Sequence, residues 1–336
     1  MESRTAEKKR IEWIDCARGI AILLVIVGHG VDGFPRALIF SFHMPLFFIL
    51  SGRTSRYSAD TREWFEKMRM SARHLLVPAI IVYLMRTTVT LWQTPKLLCD
   101  LSYWKGFIRT FFFASGVDIE NSGIFGGVQV GAMGIPWFFF ALFFGRTLYD
   151  YVHMKFSGKW LAAVCMAVSV AGVVLGKIQW MPFSLDIALA VMPFFCMGDF
   201  LRRVNLEKVT WKILTVSCAL WLITLMAEYP DWNQWTYMEL AWRRYPLYPL
   251  CYVTAAAGSL FWCEVSILAL RLGRPASLFL FLGKNSMYML CVHMMDYLWQ
   301  PFCYASGPAF ISLMKKMMVD FLVFLAVMAV RNKRSS

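Results

Sequence analysis

The sequence predicts an all-α polytopic membrane protein with about ten transmembrane helices and both termini in the cytoplasm. Three observations lead there. Hydrophobic residues make up 59% of the 336 and charged residues only 16%, against about 25% charged in a soluble domain, so a single buried core cannot hide them all. The apolar residues fall in ten runs that reach or approach the roughly 20 residues of helix needed to cross a bilayer. The basic residues behind the net charge of +13 gather in alternate loops instead of on one solvated face, which argues for topology and against nucleic acid.

The runs are placed at 13–31, 37–52, 74–92, 135–152, 160–176, 182–201, 213–227, 247–270, 277–299 and 308–330. The first, WIDCARGIAILLVIVGHG, follows MESRTAEKKR with no small-residue cleavage site after it, and is read as a retained span, not a signal peptide. The second, ALIFSFHMPLFFILSG, is short and holds a proline, so it either crosses or re-enters. The third starts beyond the basic stretch KMRMSAR. Between Pro95 and Gly134, Phe111, Phe112 and Phe113 stand beside polar residues ahead of a glycine-rich piece, which predicts an interfacial helix and an external loop. The fourth opens with PWFFFALFF and the fifth, sixth and seventh are nearly uncharged. The eighth is the longest, the ninth carries GKNSMYMLCVHMMD, and the tenth runs out before RNKRSS. With no repeat or long linker in view, residues 1–336 are expected to form one integral domain without an appended soluble one.

Loops on the side of both termini hold 21 of the 34 Lys and Arg residues, the opposite loops seven, and the spans six. Basic residues are retained on the cytoplasmic side during insertion, so both ends are assigned there, in a multi-pass protein of the cytoplasmic membrane. The nine cysteines form no CxxC pair and mostly lie within apolar runs, so neither disulfides nor a metal centre is expected. There is no phosphate-binding glycine loop, GxSxG elbow, HExxH helix or dinucleotide fingerprint.

Charge within a bilayer costs roughly 2.5 to 3.5 kcal/mol, so each intramembrane ionisable residue calls for a partner or a role. In the first span Arg18 and His29 are eleven residues apart, which at about 100° per residue puts them on one face, some 16 Å apart along the axis. Asp15 precedes Arg18 by three and can pair with it. Asp15 is a helix-start charge or a direct ligand, Arg18 a snorkelling cation or a site residue, and His29 an interfacial imidazole or a general base. In the second span His43 precedes Pro45, and either bonds the broken backbone or takes part in chemistry. Arg69 and Arg73 share a helix face at the start of the third span, as a phosphate grip or as topology alone. His74 beside them is read as interfacial. In the ninth span Asn285, Ser286 and His293 interrupt the apolar pattern, the first and last nearly on one face, as inter-helix hydrogen bonders or as site residues. Arg86, Asp186, Glu264 and Asp320 have no partner that spacing can assign.

The first span, FHMPLFFILSG, PWFFFALF and GKNSMYMLCVH, in that order and spacing, resemble the acyltransferase-3 family of integral membrane acyltransferases over most of the chain, and most closely its fucose 4-O-acetylase-like branch. Arg18 and His29 reproduce that family's Arg-x10-His arrangement, with Asp15 ahead of it. The resemblance implies an acyl donor, usually acetyl-CoA, taken from the cytoplasmic side and a sugar or cell-surface glycan hydroxyl as acceptor. It implies His29 as the catalytic histidine, Arg18 and His43 beside it in the site, Arg69 and Arg73 at the CoA phosphates, and Asp15, Asn285, Ser286 and His293 in support. The family's basic pair is written Arg-x-x-Arg in places, whereas here three residues intervene. On this reading acetyl-CoA is a substrate, no metal is expected, and the partners are the lipid bilayer, acyl-CoA and the acceptor, with no nucleic acid.

Two other readings use the same residues: a proton-coupled transporter of a polar metabolite, with the ionisable groups as a proton relay, and a sensor that keeps the fold without chemistry. Trp104, Trp232, Trp235 and Tyr237, in the predicted external loops, either stack on sugar rings or form the interfacial aromatic belt. The sequence does not fix the acceptor, acyl chain length or oligomeric state.

Overall fold

The computed structural model describes residues 11–118, 129–206, 211–229, 236–304 and 309–335. Among these residues the chain is all-helical, with one antiparallel bridge, Glu239 to Arg244, in place of any strand. The basic N-terminal residues, part of the 95–134 loop, and Trp232 and Trp235 lie outside the described residues.

Every run predicted to span carries helix. The first is α1 (Glu12–Gly28), and the second divides into α2 (Gly33–Phe40) and α3 (His43–Thr54). Then come α4 (Thr61–Gln93), the expected interfacial helix α5 (Leu101–Phe113), α6 (Trp137–Lys155) and α7 (Gly158–Ile178). The sixth run divides into α8 (Leu185–Ala190) and α9 (Met192–Phe200), followed by α10 (Trp211–Ala227) and α11 (Leu250–Leu270). The ninth divides into α12 (Arg274–Lys284) and α13 (Ser286–Met294), and α14 (Gln300–Tyr304) leads to α15 (Ala309–Ser335). By length and composition alone, four described stretches suffice to cross a membrane, and two bent pairs raise the number to six. The remaining runs are shorter or more charged: α1 has 17 residues, and α15 carries Lys315, Lys316 and Asp320. The chain is a multi-pass membrane protein by its apolar helices.

The breaks have local causes. Pro45 has no N–H for the carbonyl four residues back, and its ring crowds that carbonyl, so the chain turns at Ser41 and Phe42 and restarts with the proline in the first turn of α3. Trp221 Nε1 donates to Ser41 Oγ at 2.9 Å, which pins the turn from α10. Pro193 sits in the first turn of α9, where the sixth run bends by 49°. The 75° bend of the ninth run, at Asn285, has no proline. Asn285, at the bend, and His293, further along α13, bond different neighbours.

Close helix crossings rest on glycine. A Cβ on Gly19 would collide with the Phe279 carbonyl, and one on Gly283 with the Asp15 carbonyl, so α1 and α12 meet backbone to backbone. Gly52 and Gly198 do the same for α3 and α9. The interior is aromatic, with Trp13, Tyr149, Phe42, Phe48, Phe139, Phe194 and Phe195 fully enclosed. Trp92, Ile178, Val216 and Ile223 are turned outward, as lipid-facing residues would be.

Candidate active site

Three of the five histidines converge on one cavity of about 380 Å³. The end of α1 contributes His29, the α2–α3 segment Arg36, Phe40 and His43, α13 His293, and α15 Lys316. Trp137, Phe138 and the loop from Met238 to Trp242 complete the wall.

His29 caps the C-terminus of α1, its backbone N–H donating to the Val25 carbonyl while the next N–H, of Gly30, donates to that of Val27. Its ring is exposed, but the surface it exposes faces the cavity that it lines. The ring stands edge-on to Phe40 at 5.3 Å and lies 5.4 Å from that of His293.

His43 is buried, and its Nδ1 lies 3.0 Å from the Ile39 carbonyl at the chain break, which also accepts the Phe42 N–H at 3.4 Å. A carbonyl only accepts, so Nδ1 carries the hydrogen and Nε2 the lone pair. His43 therefore makes the backbone bond that was one of its two sequence alternatives, and it also lines the cavity.

His293, 1% exposed, directs Nδ1 at two carboxylates, Asp296 Oδ2 at 3.3 Å and Asp320 Oδ2 at 3.4 Å. Lys316 Nζ lies 2.6 Å from Asp296 Oδ2, and Trp299 Nε1 donates to Asp320 Oδ1 at 2.7 Å. The His293, Asp296 and Asp320 ligand atoms lie within 4.8 Å of one another, as a metal site would require. The ammonium of Lys316 already occupies the cationic position beside them. Sequence reading left Asp320 without a partner and missed its grouping with Asp296. The Lys316 to Asp320 spacing of four is a visible signal, whereas the approach of α13 to α15 is not.

The loop forming the outer wall is tied down by Arg243, whose Nε lies 2.8 Å and Nη2 3.2 Å from the two oxygens of Asp186. Both side chains are buried, and the guanidinium stacks 3.9 Å over Trp180. Asp186 therefore answers Arg243. Arg86 instead donates to the Met133 carbonyl at 3.3 Å and faces the Tyr297 ring. Within that loop, burial pushes the Glu239 carboxyl above its ordinary range, against the pull of Arg36 and Arg244. Tyr237 lies 5.8 Å from Phe40, beside the cavity, while Trp104 donates to the Leu98 carbonyl.

Arg18 does not reach this cavity. Its Nη2 lies 3.3 Å from Thr54 Oγ1, and Nη1 is 3.9 Å from Asp15 Oδ1, as the spacing predicted. Ile22 and Val25 occupy the same face of α1 between Arg18 and His29 and are almost fully enclosed, so the polar stripe is interrupted by packed side chains. Arg69 and Arg73 are exposed on the first half of α4. Asn285 donates to the Phe281 carbonyl at 2.9 Å and accepts from Arg331 at 3.0 Å, at the helix break and away from the histidines. Ser286, half-buried, begins α13.

Chemically, the cavity offers imidazole lone pairs for taking up a proton, two cations, Arg36 and Lys316, and two carboxyl groups, Glu239 and Asp296, among apolar side chains. The family model described as an acyltransferase domain, Acyl_transf_3, matches residues 11–330. No curated protein and no solved structure matches the chain.

Proposed function

The chain belongs to the acyltransferase-3 family, and on that premise we propose that it is a membrane-embedded O-acyltransferase that moves an acetyl or other acyl group from cytoplasmic acyl-CoA to a hydroxyl of a sugar or cell-surface glycan. The single observation that carries this reading is the cavity holding His29, His43 and His293. Ester formation needs a base for the hydroxyl proton and positive groups for the oxyanion that develops on the thioester carbonyl. His29 is the base, because its ring faces the cavity. As the acceptor oxygen bonds the acyl carbon, its proton passes to His29; the carbon–sulfur bond breaks, and the CoA thiolate recovers that proton as the thiol. His43, fixed with Nε2 as the lone-pair nitrogen, orients the acceptor, and Arg36 or Lys316 meets the oxyanion.

The donor site is assigned to the cytoplasmic ends of α1 and α4. Arg18 is held there by Asp15 and Thr54, and Arg69 and Arg73 stand exposed for the CoA phosphates. Replacing both Arg69 and Arg73 by alanine is expected to raise KM for acetyl-CoA about 3- to 30-fold with little change in kcat, the mark of lost ground-state binding. Equal KM values would remove these residues from the donor site. The membrane is the cytoplasmic one, with ten crossings and both termini inside. The resemblance of FHMPLFF and the later NS…H element to fucose 4-O-acetylases supports a sugar hydroxyl as acceptor.

Protein in proteoliposomes, given acetyl-CoA and mixed glycan acceptors, is expected to release free thiol in proportion to acceptor without moving protons across the bilayer. Acceptor-driven proton flux with no thiol release would instead indicate transport.

A further inference from the structure

The reaction outlined above leaves the group behind His293 without a task. With the ring neutral, Nδ1 faces two carboxylates and must be the N–H donor, so Nε2 carries the lone pair. That Nε2 is buried and has no hydrogen-bond partner among the described residues. An unanswered acceptor in an enclosed place is a cost to the fold, and calls for an explanation. The ring across from it is His29, 5.4 Å away between centroids. Catalytic hydrogen bonds are often long before substrate closes the site.

Charge points the same way. Asp296 and Asp320 as carboxylates and Lys316 as an ammonium sum to one negative charge, so the cluster is one positive charge short of neutral. A proton arriving on the neighbouring imidazoles would supply it. Lys316 holds the Asp296 carboxylate and Trp299 that of Asp320.

We infer that Asp320 and His293 are positioning residues for His29: the Asp320 carboxylate accepts the Nδ1–H of His293, His293 Nε2 accepts one N–H of His29, and the other nitrogen of His29 is thereby left as a lone pair facing the cavity. This rests on the reading of His29 as the base. As the acceptor proton reaches His29, the positive charge spreads along the chain of imidazoles towards the carboxylate. The proton then returns to the leaving thiolate, so nothing is consumed. The groups facing this chain are His29 from α1, Asp296 from the turn after α13, and Lys316 and Asp320 from α15. Arg36, His43 and Glu239 line the same cavity.

The test is the pH profile of thiol release from acetyl-CoA by the full chain in detergent, for wild type, His29→Ala, Asp320→Asn, Lys316→Met and Trp299→Phe. Asp320→Asn keeps the shape and removes the charge. It is expected to lower kcat about 10- to 100-fold with KM for acetyl-CoA nearly unchanged, and to move the acid limb of the profile to lower pH. Lys316→Met and Trp299→Phe, which leave the carboxylates less neutralised, are expected to move that limb to higher pH. Opposed movements are not produced by a merely structural role. Profiles that coincide with wild type, while His29→Ala is inactive, would overturn the positioning chain and leave the base in place. Full activity in His29→Ala would overturn the base itself. If Asp320→Asn does not fold, Trp299→Phe decides, since it removes one donor and leaves both carboxylates.

Discussion

At His43 the backbone decides the chemistry of the side chain. Pro45 forces the turn at Ser41 and Phe42, the turn leaves the Ile39 carbonyl with only a long 3.4 Å bond from the Phe42 N–H, and that carbonyl takes the His43 Nδ1–H and leaves Nε2 as the lone-pair nitrogen. The proline signal was legible in FHMPLFF, and so was the oddity of a histidine in an apolar run. What was not legible is convergence: His293 lies about 250 residues beyond His29 and His43, and no periodicity within one helix says which helices will touch. Arg18 is the converse. Its spacing to His29 was read correctly as one face, but a shared face does not make a shared cavity when Ile22 and Val25 are packed between. The same limit left Asp186 unassigned, although its partner Arg243 was in plain view in a loop. Removing one member of that buried pair strands the other in the interior, at a cost of about 3 to 5 kcal/mol. Asp186→Ala is therefore expected to lower thermal stability sharply in detergent, followed by size-exclusion after heating. A midpoint equal to wild type would mean that Arg243 finds water.

At the scale of elements, all ten apolar runs carry helix because length and composition dominate where the solvent is lipid. Where these helices break was only partly visible. Pro45 marked one break and Pro193 accounts for a second that was not anticipated, whereas the 75° bend at Asn285 comes with tertiary contacts, Arg331 on Asn285 and the Gly283 backbone against α1. That contact gives a paired test. Gly283→Ala places a Cβ against the Asp15 carbonyl and is expected to destabilise by about 1 to 3 kcal/mol, as overpacking does. Gly106→Ala, on α5 with no atom near the new methyl, is expected to be neutral or slightly stabilising through helix propensity. Thermal unfolding of the two variants side by side reads the difference, and equal midpoints would mean that the α1–α12 crossing tolerates a methyl.

For the whole molecule, the proposed reaction needs two sides: a cytoplasmic end for the donor and a cavity for the acceptor. The proposed orientation puts Cys99, which is exposed, on the face opposite the termini. A membrane-impermeant maleimide applied to intact cells is expected to label it, and Cys99→Ser to lose that label. Labelling only after permeabilisation would invert the topology. The most direct measurement for the account as a whole is transfer of labelled acetyl from acetyl-CoA to a glycan acceptor by purified wild type and by folded His29→Ala. The account expects transfer by wild type and a fall of about 10²- to 10⁴-fold in the variant, the usual contribution of a general base. Equal transfer by both would contradict it.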